Sequence, residues 1–176
     1  MSYTTLTTKE KNQVEVEINK ILGSSIMTDI LKEKMLISLN GSRKEIFLIS
    51  ISDLQLLTQI QSIPDCKLVY VRIKLGFFIR NLFRVGIESL SYLAPLTKKK
   101  IRLNTQNARK FIYGKDIDVR SKILQEEIRK FGDGETVMIF TSYEIPIGYA
   151  KINLKVKKLQ NLVDTGIYLR SEKSAF

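Results

Sequence analysis

The chain has 176 residues, with 44% hydrophobic and 27% charged residues and a net charge of +11. That much hydrophobic material builds a core and excludes a disordered chain. With no His and a single Cys, Cys66, the chain lacks the parts for Ser-His-Asp or Cys-His catalysis, an imidazole metal site, an intrachain disulfide or a Cys-rich zinc site.

In chain order, residues 7–22 read as an amphipathic helix. Thr7 and Glu10 fit a capping box, Val14, Ile18, Ile21 and Leu22 share one face, and Gly23 is placed to end the helix. Residues 35–39 and 45–49 alternate as strands around the turn residues Asn40-Gly41, which predicts a hairpin. Ser52-Asp53 is placed to cap a short helix through Ile60, and Pro64-Asp65 marks a turn. Residues 67–88 are β-like, interrupted at Gly76 and resumed from Phe83 to Ile87. Ser89 to Leu93 suggests one or two helical turns that stop at Pro95. Residues 1–95 therefore read as an α/β domain with a mostly antiparallel sheet.

The charge changes at Pro95. Residues 1–95 hold 12 basic and 9 acidic residues, and residues 96–176 hold 17 and 9. The C-terminal part carries most of the excess and points to a polyanion partner. Short strands are predicted at 100–103, 117–119, 136–142, 147–154 and 166–170. A helix at 120–130 turns Ile123, Leu124 and Ile128 inward. Short strands with one or two helices in about 80 residues suggest a small barrel-like domain, residues 96–176. The overall class is α+β.

Enzyme signatures are weak. Gly132-Asp133-Gly134-Glu135 lacks the third glycine of a dinucleotide fingerprint and reads as a tight turn. Gly114-Lys115 lacks the rest of a phosphate loop. Asp116 and Asp118 have no third acid nearby and read as solvated turn carboxylates. No activating partner is visible for Cys66, and Asp53 and Asp65 read as cap and turn residues.

The basic residues form three sets: Lys98, Lys99, Lys100 and Arg102; Arg109, Lys110, Lys115, Arg120 and Lys122; and Lys151, Lys155, Lys157 and Lys158. From Lys151 to Lys157 polar and apolar residues alternate. On a strand this puts the lysines in a row at roughly 7 Å, near the phosphate spacing of nucleic acid. Of the aromatics in this part, Phe111, Tyr113 and Tyr149 read as core. Tyr143, in a turn, reads as exposed, and Tyr168 follows in the last segment.

A set of motifs then occurs in order: Leu75-Gly76 with Leu82-Phe83-Arg84, Ser91-Tyr92-Leu93-Ala94-Pro95, Lys100-Ile101-Arg102, Phe111-Ile112-Tyr113-Gly114, Tyr143-Glu144-Ile145-Pro146-Ile147-Gly148, and Asp164-Thr165-Gly166-Ile167-Tyr168-Leu169-Arg170-Ser171-Glu172. Over residues 68–172 this resembles the Nip-seven family of large-subunit ribosome biogenesis factors. Residues 1–65 match only in length and element order. The resemblance implies an N-terminal α/β domain and a C-terminal PUA domain that binds RNA without catalysing a reaction. It also implies a role in pre-ribosomal RNA processing beside other assembly factors.

By the resemblance, Gly114 lies in a turn where RNA approaches the backbone, and the stretch Lys151 to Lys158 occupies the basic RNA-facing surface. The RNA-binding set is Gly114, Lys115, Arg120, Lys151, Lys155, Lys157, Lys158 and Arg170. Two departures stand out: Gly148-Tyr149-Ala150 replaces the common Gly-Phe-Gly, and Arg120-Ser121-Lys122 stands where a further glycine is common. The lack of His and of a basic tail points to an archaeal member.

The expectation is thus a monomeric, non-enzymatic protein with RNA and assembly factors as partners and no cofactor or metal. No apolar run is long enough for a membrane span, and Met1 to Thr5 does not read as a signal peptide. Both point to the cytoplasm, or the nucleolus in a eukaryote. The rival readings are an RNA-modifying enzyme or its RNA-binding subunit, and a protein-interaction module.

Overall fold

A computed structural model describes residues 3–23, 25–61, 73–167 and 170. The chain divides into two compact units: residues 1–19 with 24–92, and residues 20–23 with 93–176. The Pro64-Asp65 turn, Cys66, the β-like residues 67–72, Tyr168 and Glu172 lie outside the described residues.

The first unit holds β1 (Tyr3–Thr5), most of α1 (Thr8–Leu22), α2 (Ile26–Glu33), β2 (Lys34–Asn40), β3 (Lys44–Ser50), α3 (Ile51–Gln61), β4 (Ile73–Ile79) and β5 (Leu82–Val85). A 3-10 turn at Ile87–Ser89 leads into α4 (Leu90–Leu93). The strands form an antiparallel sheet in the order β1-β2-β3-β4-β5. β2 and β3 each bury four consecutive residues, so both faces of the sheet are covered. On one face Ile37, Leu39, Phe47 and Ile49 pack with Leu57 of α3. On the other, Ser38 is fully buried and pairs its hydroxyl with that of Thr4 at 2.7 Å, so its polar atom has a partner.

The capping box forms as read. The Thr7 amide donates to Glu10 Oε2 at 3.0 Å, and the Glu10 amide donates to Thr7 Oγ1 at 3.3 Å. Val14, Ile18, Ile21 and Leu22 are all buried, and Gly23 takes a left-handed φ of 79°. Two elements escaped the sequence reading, β1 and α2. The cap of α3 also differs. Ser50 Oγ, not Ser52 or Asp53, accepts from the Asp53 amide at 3.1 Å, because the helix starts one residue after β3 ends. Gly76 does not interrupt β4; the strand runs through it with a bulge opposite Ile46 and Phe47.

Glu10 has a second task. The ammonium of Lys44 at 2.6 Å, helped by the Thr7 amide and hydroxyl, holds its carboxyl below the ordinary carboxylate range. A lowered folded-state pKa stabilises above the unfolded value and is lost as pH falls through the folded one. Glu10→Gln is expected to cost about 0.5 kcal/mol at pH 7, the scale of a partly exposed pair at a helix start. Urea titrations at stepped pH check this: the gap between wild type and variant narrows as pH falls below the ordinary glutamate value of about 4.3. A gap that does not narrow on acidification would leave the charge without a part in it.

The second unit holds residues 20–23, β6 (Lys100–Leu103), α5 (Thr105–Ile112), β7 (Ile117–Asp118), α6 (Lys122–Ile128), β8 (Thr136–Thr141), β9 (Pro146–Asn153) and β10 (Lys158–Asp164). The strand order is β6-β8-β9-β10-β7, with β6 parallel to β8 and the other pairs antiparallel. This mixed sheet curls into a half-barrel. One face buries Ile101, Leu103, Val137, Ile139, Ala150, Ile152 and Leu159, closed by Phe111 of α5 and Leu124 and Ile128 of α6.

Several expectations for this unit are corrected. The helix α5 has no counterpart among the predicted elements, since its only strongly apolar positions are at its end. Asn104 in fact caps it, its side-chain oxygen accepting from the Asn107 amide at 2.9 Å. Ile123 is 78% exposed, so α6 turns only Leu124 and Ile128 inward. Of the range 166–170, the described residues 166, 167 and 170 are not in a strand. The strand is β10, and the Arg170 amide donates back to Gly166 O at 3.1 Å, the spacing of a helical turn.

Candidate nucleic-acid interface

The largest correction concerns the lysine row. β9 ends at Asn153 and β10 begins at Lys158, so residues 151–157 are not one strand. Two side-chain oxygens, one of a carboxylate and one of an amide, stop the ladder. Asp133 Oδ1 captures the Leu154 amide at 2.7 Å, and Asn153 Oδ1 accepts from the Val156 amide at 3.3 Å. Lys157 then takes a left-handed φ of 52°, and its carbonyl accepts from the Val119 amide at 2.9 Å. Lys155 and Lys157 therefore stand on the β9–β10 turn. Lys158 opens β10 opposite Asn153 on one side and Asp118 on the other. Lys151 lies on the outer face of β9 opposite Gln160 and leans over the Gly132–Gly134 turn. All four lysines are exposed.

The remaining candidates fall into two groups. Arg120 stands near the β9–β10 turn and is exposed, and its guanidinium pairs with Asp118 at 3.0 Å. Asp118 is exposed, as expected of a solvated carboxylate, and also pairs with Arg120, while Asp116 accepts from the Asn161 amide at 3.0 Å. Gly114, Lys115 and Arg170 lie at the opposite end of β7. Gly114 ends α5 with a φ of 79°, and a Cβ there would sit 3.2 Å from the Arg170 guanidinium. The space over this glycine is filled from within the protein.

Arg170 is an internal anchor. Its fork donates to both oxygens of Asp164, at 3.0 and 2.8 Å, and to Ile112 O at 2.5 Å. Asp164, only 2% exposed, also accepts from the Gly166 amide at 2.9 Å and raises the guanidinium's pKa. This unit of Asp164, Gly166 and Arg170 holds the end of α5 to the last described segment. Its signal in sequence was the motif Asp164-Thr165-Gly166, without any hint of the pairing.

The first basic set is largely occupied. Lys99 pairs with Glu135 at 2.6 Å, which together with the Gly132 amide lowers the Glu135 carboxyl's pKa. The Lys100 ammonium lies 5.1 Å from the Phe140 ring centre, and Arg102 pairs with Glu144. Tyr113, read as core, is 72% exposed beside Gly114 and Lys115, because it follows the last turn of α5. Tyr143 is exposed as expected, and Phe111 and Tyr149 are buried. Ala150, at the position of the replaced glycine, points its methyl into the core. That side chain does not face a ligand. Among the described residues there is no cluster of three or more potential metal ligands, and no helix long and apolar enough to cross a membrane.

This half-barrel with its glycine turn is a PUA domain: residues 99–173 match the UPF0113 PUA domain family. Over 94% of its length the chain is 25% identical to a UPF0113 protein of Archaeoglobus fulgidus, covering 96% of that protein. It shares the fold of a hypothetical protein of the hyperthermophilic archaeon Pyrococcus horikoshii, with a TM-score of 0.51 and 10% identity across 95% of this chain and 98% of that one.

Proposed function

We propose that the protein is a non-catalytic RNA-binding factor that acts in large-subunit ribosome assembly and pre-rRNA processing beside other assembly factors. Its C-terminal PUA domain holds single-stranded segments of RNA. The observation that carries this reading is the cluster of exposed lysines at the β9–β10 turn of a PUA domain. Lys151, Lys155, Lys157 and Lys158 form no ion pair among the described residues, whereas Lys99, Arg102 and Arg170 are engaged by carboxylates. Cations without internal partners displace counterions from phosphates and gain free energy from their release. Lys115 and the exposed Tyr113 stand beside Gly114, a cation next to an aromatic face suited to an unpaired base.

The salt dependence of RNA affinity tests this. With four to six phosphates contacted, log affinity for a single-stranded RNA falls against log salt with a slope of about −3 to −4. Fluorescence anisotropy from 50 to 300 mM salt reads it. A slope near zero would remove the electrostatic basis of the proposal.

A further inference from the structure

A groove lies between α6 and the β9–β10 turn. Val119, Ile128, Phe131 and Leu154 wall it, Arg129 and Lys157 stand at its mouth, and it encloses about 450 Å³. That volume falls within the range of small-ligand sites, roughly 300–1,000 Å³.

Both walls are held in place. On the turn side the Val119 amide bonds Lys157 O at 2.9 Å, and the Leu154 amide is fixed by Asp133 at 2.7 Å. On the helix side the Arg129 amide bonds Gln125 O at 3.0 Å, and the Phe131 amide bonds Ile128 O at 2.9 Å. An occupant orders little backbone on entry, which favours binding. Among the described lining residues only Arg129 and Lys157 carry charge, and both are exposed. An apolar slot with a cationic mouth complements a flat apolar body joined to an anion. A nucleotide has that build. The groove is also continuous with the lysine turn, because Lys157 belongs to both.

We infer that this groove takes one unpaired base of the bound RNA, while Arg129 and Lys157 hold an adjoining phosphate. The inference rests on the RNA-binding reading above and adds the place where a base is held. Its apolar walls make the slot tolerant of base identity, since stacking and apolar contact use a face every base has. The one amide at its rim, Gln125 Nε2, is already donated to Arg120 O at 3.3 Å.

The test uses the full chain and two fluorescein-labelled RNA heptamers: oligouridine, and the same oligomer with abasic central positions. Wild type is expected to bind the abasic heptamer about ten-fold more weakly, the scale of one buried base. Leu154→Glu, at a half-exposed turn position, is expected to bind both heptamers equally. Arg129→Gln is expected to weaken both alike, with discrimination intact. Circular dichroism of each variant confirms its fold. Equal affinity of wild type for both heptamers, with a steep salt slope, would overturn the base slot and leave phosphate binding standing. Discrimination that survives in Leu154→Glu would also overturn it and move the base to Tyr113. If neither heptamer binds, the RNA-binding reading falls with it. Protection of the groove by an acidic, aromatic peptide would then assign it to a protein.

Discussion

Lys151→Ala, Lys155→Ala, Lys157→Asn and Lys158→Ala combined are expected to lower affinity for single-stranded RNA about 10²-fold at 0.1 M salt. Each lost phosphate contact removes about 0.7 from the salt slope on a single strand. Four lost contacts thus flatten the slope by almost three and cost two to three decades at that salt. Asn replaces Lys157 because the backbone there is left-handed, with a φ of 52°, which Asn accepts more readily than Ala. The four side chains are exposed, so the variant is expected to keep its circular dichroism spectrum and urea midpoint. Anisotropy titrations at several salt concentrations measure both quantities together. Unchanged affinity and slope would place the RNA surface elsewhere on the domain. A loss of affinity without a change in slope would point to folding rather than charge.

The largest expected effect on stability is that of Gly148→Ala. Gly148 lies in β9 with a φ of 155°, and a Cβ there would stand 2.1 Å from Val163 O and 2.7 Å from the Phe111 ring. The first is backbone of the neighbouring strand β10 and the second is the centre of the core, so neither neighbour yields cheaply. Strain and overpacking each cost about 1–3 kcal/mol, and together they set an expected loss of about 4 kcal/mol. Urea unfolding followed by circular dichroism measures it, with the midpoint shifting down and the slope unchanged. A variant as stable as wild type would mean that β9 and β10 do not approach this closely. The glycine therefore serves the protein's own packing, and the adjoining Ala150 fills core rather than a ligand surface.

The strands with clear alternation, and the first helix with its capping box, were legible in the sequence because their signals are local. β6 at Lys100–Leu103 and the hairpin of β2 and β3 fall where the pattern put them. α5 was hidden because its burial rests on Ala108 and Phe111 alone, too few positions to reveal a helical period. The lysine stretch misled for a different reason. Its alternation continues through Val156, but the stop comes from Asp133, some twenty residues away in sequence, which takes the Leu154 amide. A hydrogen bond of that span leaves no mark on local pattern. The same holds for Arg170. Its charge was visible, but the buried carboxylate of Asp164 that engages it was evident only in three dimensions. Composition identified the basic half. It did not separate cations held internally from those left to solvent, and that distinction defines the candidate interface.

The gathering of Lys155 and Lys157 on a short turn has a mechanical meaning. Lysines strung along a strand would act as a rail, setting both where an RNA lies and which way it runs. Charges bunched at one tip act as a pivot. They would locate a bound polyanion at a point while leaving it free to swing, so its heading would have to be imposed by a second hold. Under the proposed function, such a grip keeps its RNA while a second contact turns that RNA into its course.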